Sequence, residues 1–259
     1  MTDFHPELVP WMLVSLIVGI LVTIELGYLY GLREKHIHPA SVDGASGAIE
    51  ASIFALLGLL LAFTFSAAQE RMEFRRRLII QEANDISTAY LRVDLLPPAS
   101  QIELRQAFRD YLDSRLAVYR AVPDLKKVAA ELKASKALQS KIWSMAVEGL
   151  KQGNPGFAVI VLPALNTMFD IAEARTGMAH AHTPSVIFAL LFGVALLSAG
   201  VAGYGMSKSP GRNWFHRLAF VLIVSATVYV IADLEFPRRG LIRLDVTDQL
   251  LVDLRQSMD

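Results

Sequence analysis

The sequence predicts an all-α integral membrane protein: four transmembrane helices, with a large helical block continuous with the second and third of them. Three observations carry that prediction. Apolar residues make up 53% of the 259-residue chain, above the roughly 45–50% of an average soluble domain. Charge is segregated, since residues 70–182 hold 29 of the 50 charged side chains and long stretches on either side hold almost none. A bilayer imposes this pattern because an ionised side chain at mid-membrane costs about 2.5–3.5 kcal/mol. The charged block itself is rich in Ala, Leu, Arg, Lys and Glu between proline breaks, with no β-branched alternation, and reads as helix.

The first span covers residues 8–32, with Glu25 as its only charge; about 20 apolar residues rising 1.5 Å each cross about 30 Å of hydrocarbon. Acidic Asp3 and Glu7 before it, and the length of the apolar run, argue against a cleaved signal peptide. The second span, residues 50–69, contains the 18 uncharged residues Ala51–Ala68. No breaker separates Ala68 from Arg71, so this helix is expected to leave the membrane unbroken. Beyond it Ile79, Ala83, Ile86, Tyr90 and Val93 recur at spacings of four and three, a 3.5-residue seam that must face another helix.

Pro97-Pro98, Pro123 and Asn154-Pro155-Gly156 divide the block, which extends to residue 182. Thr183-Pro184 reads as an N-cap followed by proline at the first helical position, opening a third span over residues 183–207. The fourth covers residues 214–234. Its uncharged core, Leu218–Ala232, is only 15 residues long, so Trp214 and Phe215 extend it upstream while Arg217 snorkels to the interface. The chain thus divides into a transmembrane hairpin (1–69), the helical block (70–182), a second hairpin (183–235) and a C-terminal tail (236–259).

Four spans put both termini and the block on one side. Near the span ends that side carries Arg71, Arg75, Arg76, Arg77, Arg175, Arg238, Arg239 and Arg243, against Arg33, Lys35, Lys208, Arg212 and Arg217 on the other. The positive-inside bias therefore points to a multi-pass inner-membrane protein with a cytoplasmic block and cytoplasmic termini, although the flanks of the first span alone argue the reverse.

Several function classes drop out. Lys and Arg number 25, matching 25 Asp and Glu, which leaves no net basic field to gather nucleic acid. The absence of cysteine removes disulfides, thiolate metal sites and a cysteine nucleophile. No nucleophile elbow, phosphate-binding glycine loop or paired-histidine zinc helix is present, so no catalytic residue, cofactor or metal is assigned and an enzyme is not expected. His36 and His38 in a short polar loop, and His180 and His182 before the third span, read as solvated rather than metal-ligating.

The candidate functional residues lie elsewhere. Along the second span Phe54, Leu57, Leu61 and Phe65 beside Gly58 read either as apolar faces toward lipid and neighbouring helices or as a hydrophobic constriction lining a pore. Gly58, Ala62 and Ser66 recur every four residues after Ala51 and Ala55, and small residues in that register let helices approach closely in lipid. Gly27 with Gly31, and Ala199 with Gly203, repeat the device. Glu25 and Glu50 are in-membrane carboxylates expected near a shared vestibule on the non-cytoplasmic side. Bare, they would repel anions; pairing with Arg33 or Lys35, or cation selectivity, would each account for them. In the block, Glu82, Asp85 and Arg92 on one helix and Asn166, Asp170, Glu173 and Arg175 on another read as an interhelical polar network, with a divalent-cation or proton site as the alternative. In the C-terminal motif, Asp233, Glu235, Arg238 and Arg239 read as interface anchors or as an arginine-lined anion entry.

Three separated stretches then carry a resemblance: GLLLAFTFSAAQERMEFRRRLIIQEANDISTAYLRVDLLPP (Gly58 to Pro98), LNTMFDIAEAR (Leu165 to Arg175) and DLEFPRRGLIRL (Asp233 to Leu244). Together they resemble the bestrophin-like family of bacterial and plant membrane proteins, itself distantly similar to bestrophins, which are pentameric anion channels with four spans and a cytoplasmic helical region. The resemblance implies a homo-oligomer, possible as a pentamer, whose partners are the bilayer, further copies of the chain and inorganic ions, with the second span lining the pore. The C-tail has no acidic run like the calcium clasp of animal bestrophins; Asp245, Asp248 and Asp253 are too dispersed. Two other readings stay open: a non-conducting anchor or scaffold whose block docks a partner, and a transporter using Glu25 and Glu50.

Overall fold

The computed structural model describes residues 9–37, 46–122, 124–179, 181–208, 214–237 and 240–259. The expectations for Asp3, Glu7, His38, Pro123, His180, Arg212, Arg238 and Arg239 fall outside them. Among the described residues the regular structure is helical: α1 Val9–Ile37, α2 Ser46–Leu91, α3 Pro98–Arg120, α4 Leu125–Gln152, α5 Ala158–Met178, α6 Ser185–Met206, α7 Trp214–Glu235 and α8 Asp245–Gln256. They fall into two compact units, one of residues up to 72 with 182–242 and one of residues 73–181 with 243–259.

In the first unit α1 lies along α6 and against α7. A 3.6-residue stripe of Leu16, Ile20, Ile24, Tyr28 and Gly31 is the buried face of α1. The backbones touch because side chains are missing where they cross: a Cβ on Gly27 would overlap the Gly200 carbonyl, and one on Gly203 the Ile24 carbonyl. Small residues give this approach in lipid, where the hydrophobic effect adds nothing between helices.

The 46 residues of α2 extend about 69 Å at 1.5 Å per residue, more than twice the hydrocarbon thickness. The helix is unbroken, as the lack of a breaker after Ala68 leads one to expect.

In the second unit the seam residues Ile79, Ala83, Ile86 and Val93 are buried, and Tyr90 meets Phe108 edge-on with ring centroids 5.7 Å apart. Pro98 opens α3, Asp124 caps α4 by accepting from the Lys126 and Lys127 amides at 3.1 and 3.2 Å, and Asn154 turns the chain by accepting from Gly156 N at 2.9 Å. The last helix, α8, is tied down by Arg255 donating to Asp113 at 3.0 Å and by Tyr90 and Arg109 donating to the Met258 carbonyl.

Two features differ from the sequence reading. The N-cap position of α6 is Pro184 and makes no side-chain cap; the Thr183 hydroxyl donates to Glu235 instead, at 2.6 Å, and its acceptor side takes Arg71 Nη2. In addition, among the described residues five helical segments are long and apolar enough to cross a membrane, the one beyond the four expected being Pro155–Met178. Asp170, Glu173 and Arg175 crowd the last turns of that segment, which is why it reads by charge as part of the block.

Candidate functional site

The second span is the least packed of the apolar helices. Only 6% of its most apolar window is buried within the chain, against 22–50% for the other four. Its two faces differ. Phe54 meets Phe220 of α7 edge-on at 6.2 Å, Leu57 is buried and Leu61 half-buried, so these three lie on the covered side of the helix. Gly58 and Phe65 are exposed, as are Ala51, Ala55, Ala62 and Ser66. The whole small-residue stripe of α2 is thus unpartnered, and a Cβ on Gly58 would meet nothing within 4 Å. The five pore candidates therefore divide between an inward trio and an outward pair.

Glu25 and Glu50 are both paired, though not with Arg33 or Lys35. Glu25 accepts from Arg217 Nη1 at 2.5 Å, and Glu50 lies 3.5 Å from Lys208 Nζ. Arg33 is eight residues past Glu25, about 12 Å further along the same helix, whereas the α1–α7 packing brings Arg217 alongside. Nor does Arg217 snorkel outward: its side chain is 3% exposed.

Where α7 ends, Glu235 (1% exposed) takes Nε and Nη2 of Arg71 together with the hydroxyl and amide of Thr183. His182 stacks on Phe236, ring centroids 4.9 Å apart, with Nδ1 3.9 Å from Glu235. Two residues earlier Asp233 accepts from the amides of Leu241 and Ile242 at 3.0 and 2.9 Å, and a Cβ on Gly240 would collide with that carboxylate. This chemistry explains the spacing Asp233, Glu235 and Gly240: the first folds the chain back, the second anchors Arg71, and glycine leaves room for the first.

The second unit holds a denser network. Glu82 is fully buried; its Oε1 accepts from Arg115 Nε at 2.5 Å, and its Oε2 accepts from Arg175 Nη1 and from the Tyr119 hydroxyl, the latter at 2.9 Å. Arg175 also donates to Asp248 of α8 at 2.6 Å and stacks over the Tyr119 ring, 3.5 Å from its centroid. Burial alone would raise the Glu82 carboxyl, but the guanidinium groups of Arg115 and Arg175 outweigh it and hold its pKa below the ordinary value. Burial pushes the Tyr119 phenol well up, so it remains a donor.

Of the residues read as a network from sequence, only Glu82 and Arg175 meet. Asp85 bonds to Gln81 at 2.8 Å and Arg92 to the Ile160 carbonyl, while Asn166, Asp170 and Glu173 are exposed. Arg115 and Tyr119 complete the cluster and were not singled out; their i,i+4 spacing on an otherwise apolar face of α3 is the signal that marks them. Among the described residues no group of three or more His, Asp and Glu is placed to hold a metal ion.

The arrangement has known counterparts. The family model of the bestrophin-like domain matches residues 17–248. The chain belongs to the bestrophin-like family. Its fold is similar to two crystal structures of a bacterial bestrophin homologue from Klebsiella pneumoniae. One, of a tryptophan-to-alanine mutant, has a TM-score of 0.69 at 12% identity, covering 94% of this chain and 98% of that one. The other, of an isoleucine-to-threonine mutant, has a TM-score of 0.63 at 13% identity, covering 93% and 99%. At that identity the likeness is one of fold. No curated protein matches at the sequence level. The bestrophin-like core thus spans both units, and its apolar helices are those of a membrane family.

Proposed function

We propose that this bestrophin-like chain is a homo-oligomeric, anion-conducting channel of the inner membrane, a closed ring such as a pentamer, with four spans, a cytoplasmic helical block and its second span lining the axial path. The single observation that supports this most is the unpartnered second span. The small residues Gly27, Gly31, Ala199 and Gly203 of α1 and α6 are used up inside the chain, whereas the stripe Ala51, Ala55, Gly58, Ala62 and Ser66 of α2 is exposed. Small residues in that register are contact surfaces for other helices, and further copies of the chain supply those helices. Gly58 and Phe65, at the edge of the exposed face, are then the candidates that reach the path, while Phe54, Leu57 and Leu61 support the span from behind. The pairing of Glu25 with Arg217 and of Glu50 with Lys208 removes the objection that bare carboxylates would repel anions.

Native mass spectrometry of the protein in nanodiscs, combined with chloride flux in proteoliposomes, tests the reading. A closed ring that passes chloride is expected. A monomer or sealed dimer without flux would overturn it and favour a scaffold whose helical block docks a partner.

A further inference from the structure

Arg217 carries an unused recognition edge. Its guanidinium is 3% exposed, with Nη1 on Glu25 at 2.5 Å and its carbon 4.6 Å from the Tyr28 ring centroid and 5.5 Å from that of Trp214. Nε and Nη2, the two donors of the bidentate fork, are buried and have no hydrogen-bond partner. Buried polar groups are rarely left so, and a charged one is the costliest to leave. The contrast within the same unit is direct: Arg71 gives the same two atoms, Nε and Nη2, to Glu235. At Arg217 the chain supplies a carboxylate to the other edge and nothing to the fork.

Beside it lies a cleft of about 400 Å³ lined by Leu21, Val22, Ile24, Glu25, Trp214 and Arg217. Four of its six lining residues are apolar, and Val22 and Trp214 are half exposed, so the cleft opens on an exposed apolar surface. Trp214 stands at the first residue of α7, where an aromatic ring marks the level of the headgroups.

We propose that this cleft binds the phosphodiester of a membrane phospholipid, whose two free oxygens accept from Nε and Nη2 of Arg217 while an acyl chain lies on Leu21, Val22 and Ile24. A planar fork fits the two oxygens of one phosphate. The adjacent Glu25 carboxylate disfavours a dianion and so favours a singly charged diester over free phosphate. The apolar walls need a ligand with an apolar part.

The test uses the full chain in detergent, with retained ligand read by native mass spectrometry after addition of phosphatidylglycerol, diacylglycerol or inorganic phosphate. Arg217→Lys keeps the charge opposite Glu25 but has no fork. Val22→Trp fills the cleft and leaves Arg217 and Glu25 in place on an exposed helix surface, so it separates loss of the site from loss of the fold. Wild type is expected to retain phosphatidylglycerol but not diacylglycerol, both variants to retain roughly tenfold less of it, and excess inorganic phosphate to leave it bound. Undiminished retention in Val22→Trp, or equal retention of diacylglycerol, overturns the proposal. Displacement by inorganic phosphate assigns the fork to a free oxyanion and overturns the lipid assignment.

Discussion

Glu82 and Arg115, 33 residues apart on different helices, form an ion pair 2.5 Å long in which neither side chain is more than 2% exposed. A buried pair of this kind adds little over a well-packed apolar pair, but removing one partner strands the other charge at a cost of about 3–5 kcal/mol. Glu82→Gln is therefore expected to destabilise the protein by about that amount, read by denaturant unfolding in detergent, because Arg115 loses its counter-charge while Arg175 keeps Asp248.

The same carboxyl gives a pH signature. Its pKa is held below the ordinary 4.5 in the folded state, so its contribution is fully present above 4.5 and is lost as pH falls through the folded value. The stability gap between wild type and Glu82→Gln is expected to be constant near neutral pH and to narrow in acid below about 4.5. A gap that widens on acidification would contradict the assignment.

Tyr119→Phe removes only a hydroxyl. The ring beneath Arg175 stays, while the bond donated to Glu82 and the one accepted from Arg115 Nη2 both go. A loss of about 2 kcal/mol is expected for the two hydrogen bonds, short of the Glu82→Gln effect; equal losses would mean that the hydroxyl's hydrogen bonds, not the charge pairing, hold the cluster.

Glycines in the first unit separate intrachain from interchain contacts. Gly203→Val would press a side chain into the Ile24 carbonyl and is expected to unfold the α1–α6 pair, seen as loss of monodisperse protein. Gly58→Val meets nothing within the chain and is expected to leave each chain folded while lowering the fraction of assembled oligomer in native mass spectrometry.

Much of this was legible because the bilayer writes in charge. The unbroken α2 and its buried seam follow from residue spacing, and the polar network read there includes Glu82 and Arg175, which meet. Arg217 did not, because an arginine one turn into a span reads as a snorkelling residue until the packing of α7 on α1 sets it against Glu25. Thr183 misled for a related reason: local capping chemistry is visible in sequence, but the hydroxyl's partners, Glu235 and Arg71, lie 52 and 112 residues away. The pore candidates split because a 3.6-residue period identifies an apolar stripe without saying which side of it faces its own chain.

The most direct measurement exploits the absence of cysteine. Single variants Phe65→Cys and Gly58→Cys on α2, and Leu197→Cys on the exposed side of α6, would be reconstituted and exposed to a membrane-impermeant charged thiol reagent during chloride flux. The account predicts that flux falls on reaction at positions 65 and 58 and is unchanged at 197. Flux that is insensitive at both α2 positions, or absent from the unmodified protein, would contradict a pore lined by the second span.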